Sequence, residues 1–554
     1  MARLRCQPLL CLALLLVAVL QLPPPPPRAS LPGTHAAAVF LNGPACTTEQ
    51  PLRLSNVFSG SSPVLSCAPS HARLWGYASP GCTITVRLAG QPLAAALSYD
   101  GSGRFTATLP PQPCGTAPAA LSLHSSSGQN LTLAPRFGHV LLCSGQSNAV
   151  GLSTLPGFEA DSSVAASLAF EPPAVGAAAA APMPLYGLRV GMLDSWALDA
   201  PLEELASPPE LPWSPLPTAA AAQPFSALCW WWGRALAART NSSAAIGLIE
   251  AAWGGSWLQA WSSPTALAAC AAPPFGMAWA PGHFSSLRNS MLAPFAAGPM
   301  ALTAVAWYNG ESNALVGQQA YYACGLKHLV GDLRALFASA SLPVSIIELA
   351  PFGRNVGSWG GGWVGVRAAQ LAVALELALG AHAPGHVTLV PTSDCRDPAG
   401  DIHPRCKRVM GERLGESLAG ELAGSSSAGA WRGGPAYSHS ALQPGGAVVI
   451  VRFWGGPVAW VQDEGACEGV DWEACRDGGA QVQVAGGAWV AAEGSVVEGG
   501  GGIALRAAAG GGAAGLPITG SRYGRGMWPA VSIVSAAGGW PCHPWEEAVQ
   551  QGSS

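Results

Sequence analysis

The chain has 554 residues, a net charge of −4 from 27 basic and 31 acidic side chains, and only 10% charged residues beside 49% apolar ones. At roughly 100–200 residues per domain, that length allows two to four domains with ample buried core. So little charge excludes an acidic or basic disordered chain, and without a basic stripe interleaved with aromatics a nucleic-acid partner is not expected.

The N-terminus reads as a targeting segment. Arg3 and Arg5 precede an apolar run from Pro8 to Leu22, closed by Pro23–Pro27 and a small-residue zone near Ala29. This pattern predicts a secretory signal over 1–29, with a signal anchor as the alternative. The run is short for a membrane span, and no stable membrane insertion is expected of the rest. Fifteen cysteines fit an oxidising compartment. Loss of Cys6 and Cys11 with the signal leaves an odd number, so one thiol should stay unpaired, and Cys143 in its apolar run is the candidate. The cysteines lack paired C-x-x-C spacing with nearby His, so no metal is expected. Asn130-Leu-Thr132 and Asn241-Ser-Ser243 are glycosylation acceptors. The address implied is secreted, or lysosomal or vacuolar.

Past the signal, residues 30–135 carry period-two alternation at Thr83–Leu88, Arg104–Leu109 and Ala120–His124, separated by turn residues at 99–103 and 110–114. This predicts a β-rich module. Residues 136–430 alternate apolar strands with helical segments. The strands are His139–Cys143, Ile246–Ile249, Leu302–Trp307, Val344–Leu349 and His386–Val390. The helices are Phe225–Thr240, read as amphipathic, then His283–Leu292, Tyr321–Phe337 and Val366–Leu379. Such alternation predicts a parallel sheet flanked by helices. An Ala/Pro-rich stretch near 156–223 shows little periodicity and reads as an insertion. Residues 431–554 are again β-rich, with strands at 447–453 and 482–486 and Gly-rich hairpin loops near 499 and 510.

Four segments carry chemistry. CSGQSN (143–148) ends a strand in a tight Gly-containing turn, which can present Ser147 at the carboxyl edge of an α/β sheet. A lone Gly-x-Ser is more often a plain turn. IGLIEAAWGGSWLQAW (246–261) places Gly254 and Gly255 after a strand, where backbone N–H groups can approach an oxyanion, or simply turn the chain. WYNGESNA (307–314) sets Asn309, Glu311, Ser312 and Asn313 directly after a strand. That polar density is easier to explain by a site than by a core, although a helix cap could coexist. GDIHPRCKRVMGERLG (400–415) holds Asp401 two residues before His403, the side chain suited to proton transfer near neutrality.

These four blocks, in this order and spacing, resemble the sialate O-acetylesterase family. FSALCWWWGRAL (225–236), the β-rich stretch before Ser147 and the tail around Arg522-Tyr523 and Trp540-Pro-Cys542 look similar too, so the resemblance spans roughly 73–545. It implies an α/β fold: a three-layer SGNH hydrolase core with a parallel sheet, flanked by β-rich N-terminal and C-terminal modules. The implied activity is release of acetate from O-acetylated sialic acids, without a metal or other cofactor. Carried over by position, the nucleophile is Ser147, the base His403 and the acid Asp401, with Asp394, Asp397 or a dyad as alternatives. Gly254, Gly255 and Asn309 would form the oxyanion hole, and Gln146, Asn148, Glu311 and Arg405 would contact substrate. The chain departs from the family at Ala149, commonly Met, at Asn309, usually Gln, and at Ala251 and Ala252, often small and polar.

The expected partner is an O-acetylated sugar or glycan, with oligomeric state left open. Two other readings are an acetylxylan or other polysaccharide acetylesterase, and a catalytically dead secreted glycan-binding protein.

Overall fold

The computed structural model describes residues 46–549 apart from 99–100, 152–182, 193–198, 242, 275–282, 316–317, 354–355, 381–386, 398–399, 425–430, 462, 464–478 and 510–511. The expected signal, 1–29, lies outside the described residues.

An eight-stranded sheet organises the molecule. Its strands are β1 (Val64–Ser66), β2 (Arg136–Gly145), β3 (Leu185–Arg189), β4 (Leu211–Pro215), β5 (Ala245–Ala252), β6 (Ala304–Tyr308), β7 (Val344–Ile347) and β8 (Val387–Val390). They lie in the order β4-β3-β5-β2-β6-β7-β8, with β1 paired to the start of β2. All neighbours run parallel except β3 and β4. Every residue of β5, β6, β7 and β8 is buried, so these strands read as continuous Val/Ile/Leu/Ala runs rather than alternations, as parallel strands covered on both faces do. Because β2 is flanked by β5 and β6, three carboxyl ends meet at the centre of one edge, where open α/β sheets bind ligands.

The main helices are α1 (Ser147–Val150), α2 (Ala227–Arg239), α3 (Gln319–Leu336), α4 (Val356–Leu379) and α5 (Lys407–Leu422). Helix α2 packs on α5, and α3 on α4. The expected amphipathic face of α2 is absent: Ala227 through Ala237 are all buried. The cause is close packing by α5. A Cβ on Gly411 or Gly415 would come within 2.5 Å of Trp231 or Ala235, so only glycine lets α5 cover the outer face of α2. Helix α4 is apolar enough over Gly361–Leu379 to cross a membrane by length and composition, yet half of it is buried inside the fold.

The stretch expected to be an insertion is corrected in part. Its residues 156–182 and 193–198 lie outside the described set, but the remainder supplies β3 and β4. Alternation is masked in β3 because four of its five residues are buried and Gly187 makes room for Leu216 and Phe225.

The residues before β2 form a three-stranded and a four-stranded sheet, held by disulfides Cys46–Cys82 and Cys67–Cys114. They share one hydrophobic core with the central sheet. Trp75 sits edge-on to Phe58 and against Gly298, and the Arg73 guanidinium donates to the Pro299 carbonyl at 2.7 Å. From Ala436 to Ala548 a seven-stranded antiparallel sheet builds its own core around Val449, Val451, Val482, Ile503 and Leu505.

The segment that leads into the last strand of that sheet meets the central one at a buried contact. Glu348, just after β7, lies 3.3 Å from Arg367 and 3.4 Å from His543, and all three are buried. Burial alone would raise the Glu348 carboxyl, but Arg367 and His543 hold it well below the usual carboxylate range.

Three further disulfides are Cys143–Cys229, Cys270–Cys324 and Cys395–Cys406. Cys143 is therefore not the free thiol. It lies in β2 and is bonded to Cys229 of α2, and the unpaired cysteine among the described residues is Cys542. Five bridges fit an oxidising compartment.

Candidate active site

Each of the four polar blocks leaves the sheet at its carboxyl edge. Strand β2 ends at Gly145, whose φ of +135° and whose contact with β6 both demand glycine: a Cβ there would meet the Tyr308 carbonyl at 1.9 Å. The turn then delivers Ser147 as the first residue of α1. Strand β5 ends at Ala252, and a Cβ on Gly254 would stand 3.6 Å from the Ser147 Cβ, so this turn runs beside the hydroxyl. The block at 309–313 follows β6, and the loop between β8 and α5 brings in His403.

The loop closes on the serine. His403 Nε2 is 2.9 Å from Ser147 Oγ. On the other side of the ring, Nδ1 is 3.4 Å from Asp401 Oδ1, which also accepts the backbone N–H of His403 at 2.9 Å. A carboxylate facing Nδ1 favours the tautomer that leaves Nε2 free to accept the serine proton. Ser147 and His403 keep only 5% and 7% of their surface exposed. The alternative acids are committed elsewhere: Asp394 pairs in two bonds with Arg413, and buried Asp397 meets Arg405 Nε at 3.1 Å. Sequence spacing leaves this choice open; of the three acids, Asp401 has a carboxylate oxygen 3.4 Å from the ring Nδ1.

Asn309 is placed differently from expectation. It has no exposed surface, and its amide nitrogen donates to Gln146 Oε1 at 3.2 Å and to the Ser256 carbonyl at 3.0 Å. Both N–H groups are thereby used inside the protein, so the amide is not aimed at a substrate oxygen. Gln146 Oε1 also accepts the backbone N–H groups of Gly310 and Ser312. Ser312 Oγ donates to the Gly255 carbonyl, and Asn313 accepts from Leu258 N while donating to Gln259. The polar density after β6 thus stitches the 253–259 turn to the turn that carries Ser147.

Asn148 and Glu311 are likewise buried, at 1% exposure each, rather than facing a ligand. Asn148 Nδ2 donates to Glu311 Oε1 at 2.7 Å and to the Ile402 carbonyl at 3.1 Å, while its Oδ1 accepts from Lys407 Nζ at 2.8 Å. Burial drives the Glu311 carboxyl up to about 7, against the bond from Asn148 and the Lys407 charge. Of the four expected substrate contacts, only Arg405 carries an exposed side chain, at 38%. Lys407 received no role from the sequence. Its signal was available: a lysine four residues past the histidine, at the first position of a helix.

Among the described residues, one group has metal-ligand spacing: Cys270, Cys324 and His328. Its two sulfurs are joined in a disulfide, and it lies outside the Ser147–His403 cluster.

Residues 227–421 match the family described as carbohydrate esterase, sialic acid-specific acetylesterase. The chain is 29% identical over 376 residues to the sialate O-acetylesterase of Homo sapiens, covering 63% of this chain and 67% of that protein. It is 27% identical over 409 residues to the Mus musculus sialate O-acetylesterase, covering 63% and 70%. Among solved structures, a carbohydrate acetylesterase from Xanthomonas citri superposes with a TM-score of 0.67 at 22% identity, covering 89% of this chain and 99% of that one. That likeness bears out the α/β core with flanking β-rich parts.

Proposed function

We propose that this chain, which belongs to the sialate O-acetylesterase family of carbohydrate esterases, hydrolyses acetyl esters on sugars through a covalent acetyl-serine. The observation that carries the reading is the 2.9 Å contact of His403 Nε2 with Ser147 Oγ, at the carboxyl edge of the sheet. Ser147 Oγ attacks the acetyl carbonyl while His403 takes its proton. Asp401 orients the ring and stabilises its charged form. The backbone N–H groups of Ser147 and of the Gly254–Gly255 turn are the oxyanion donors in this reading, each worth about 3–4 kcal/mol. Asn309 serves by fixing that turn. His403 then gives the proton to the departing sugar oxygen; water, deprotonated by His403, attacks the acetyl-serine, and the proton passes to Ser147 Oγ as acetate leaves.

The names of the human and mouse relatives support an O-acetylated sialic acid as the substrate. Five disulfides and the N-terminal pattern support a secreted, lysosomal or vacuolar address.

The test is acetate release by the purified protein and by Ser147→Ala. The substrates are a chromogenic acetate, an O-acetylated sialic acid and an acetylated xylan. Release from the sialic acid by wild type alone supports the full reading. Release from xylan alone moves the substrate to a plant polysaccharide. Sugar binding without release from any of the three sinks the esterase reading and leaves a glycan-binding protein.

A further inference from the structure

Lys407 is expensive where it stands. It is fully buried, and it occupies the first position of α5, where the helix macrodipole disfavours a cation. A buried ammonium persists only if its three donors are well used. Two bonds explain its retention. Its Nζ donates to Asn148 Oδ1 at 2.8 Å and to the carbonyl of Pro404. Asn148 in turn donates to the carbonyl of Ile402 at 3.1 Å. Ile402 and Pro404 are the residues on either side of His403, and Asn148 directly follows Ser147. The two carbonyls that flank the base are therefore gripped from one point, and that point moves with the nucleophile.

We propose that Lys407 is a positioning residue, which with Asn148 locks the backbone around His403 to the nucleophile turn and sets the Nε2–Oγ distance. The proposal rests on reading Ser147 and His403 as the reacting pair. The bonds of this device run between Lys407, Asn148, Glu311 and the carbonyls of Ile402 and Pro404. Glu311 completes the device by accepting from Asn148, which fixes which end of that amide faces Lys407 and which faces Ile402.

The device predicts a kinetic signature distinct from loss of stability. Misplacing a reacting group by about 1 Å can cost on the order of 100-fold in rate without altering ground-state binding. The test compares Lys407→Met and Lys407→Gln with wild type, after folding is checked by near-ultraviolet circular dichroism. Two quantities are read: kcat and KM on a chromogenic acetate, and the rate at which a fluorophosphonate labels Ser147. The expected result for Lys407→Met is a fall of roughly 100-fold in kcat and in labelling rate, with KM within about twofold. Lys407→Gln keeps a side-chain amide with two N–H donors, on a shorter and uncharged side chain, and should recover part of both losses. It also serves as the informative variant if Lys407→Met fails to fold. A folded variant that labels and turns over at the wild-type rate overturns the proposal, as does a change confined to KM. Wild type that neither labels at Ser147 nor releases acetate overturns the parent reading and this one together.

Discussion

A single oxygen of Asp401 serves two atoms of His403: it accepts the backbone N–H at 2.9 Å and stands 3.4 Å from the ring Nδ1. The same carboxylate therefore fixes both the loop and the ring it carries. Its side chain is 36% exposed, so water screens part of the charge. Asp401→Asn should accordingly lower kcat by roughly 10- to 100-fold, well short of the ~10⁴ seen where the triad acid is buried. Steady-state kinetics on a chromogenic acetate would measure this. A variant with unchanged kcat would reduce the site to a dyad.

Two glycines separate the site from the fold. A Cβ on Gly254 meets only Ser147, at an ordinary 3.6 Å, whereas one on Gly145 would be 1.9 Å from the Tyr308 carbonyl. Gly254→Ala should fold normally and lose about 100-fold or more in kcat, because the methyl occupies space beside the nucleophile where the acetyl group must sit. Gly145→Ala should fail to accumulate as folded protein. Thermal melts with kinetics distinguish the two; a Gly254→Ala enzyme of normal activity would remove that turn from the oxyanion site.

Two buried carboxyls give stability opposite pH dependences. Glu311, raised by burial to about 7 from an ordinary 4.5, contributes most favourably below about pH 4.5. That contribution is lost as the pH climbs to about 7, a swing of roughly 3 kcal/mol. Glu311→Gln should therefore gain on wild type between pH 5 and pH 8. Glu348 is held low by Arg367 and His543, so its contribution is present above about pH 4.5 and lost below it. Glu348→Gln should be the less stable protein at pH 7 and show a flatter acid limb. Denaturant titrations across pH 3–8 read both. Parallel profiles for wild type and either variant would contradict the corresponding assignment.

Cys542 is buried, and burial lifts its thiol well above the ordinary range. The thiolate is the reactive form, so Cys542 should resist alkylation in the native protein and be modified promptly in denaturant. Peptide mapping after iodoacetamide treatment checks this, and native labelling at Cys542 would place it at the surface instead.

The parts legible in the sequence were those set by local pattern. Buried strands such as Ile246–Ile249 and Val344–Ile347 announce themselves as apolar runs, and the serine and histidine blocks stand out as polar clusters at strand ends. What escaped depends on partners distant in the chain. The envelope of α2 is fixed by glycines about 180 residues later in α5. Asn309, Asn148 and Glu311 look like ligand-binding groups in one dimension, and only their burial and mutual bonding show that they hold loops together. Cys143 gave no sign of its partner, because that partner lies 86 residues away on a helix.

The buried contact between Glu348 and His543 also has a genetic reading. His543 lies more than a hundred residues past the last catalytic block, yet its imidazole closes over a carboxylate at the end of a central strand. A frameshift or nonsense mutation between Gly424 and Trp540 would leave Ser147, Asp401 and His403 encoded and still open that carboxylate to water. Such alleles should behave as nulls, recessive through loss of protein rather than loss of chemistry.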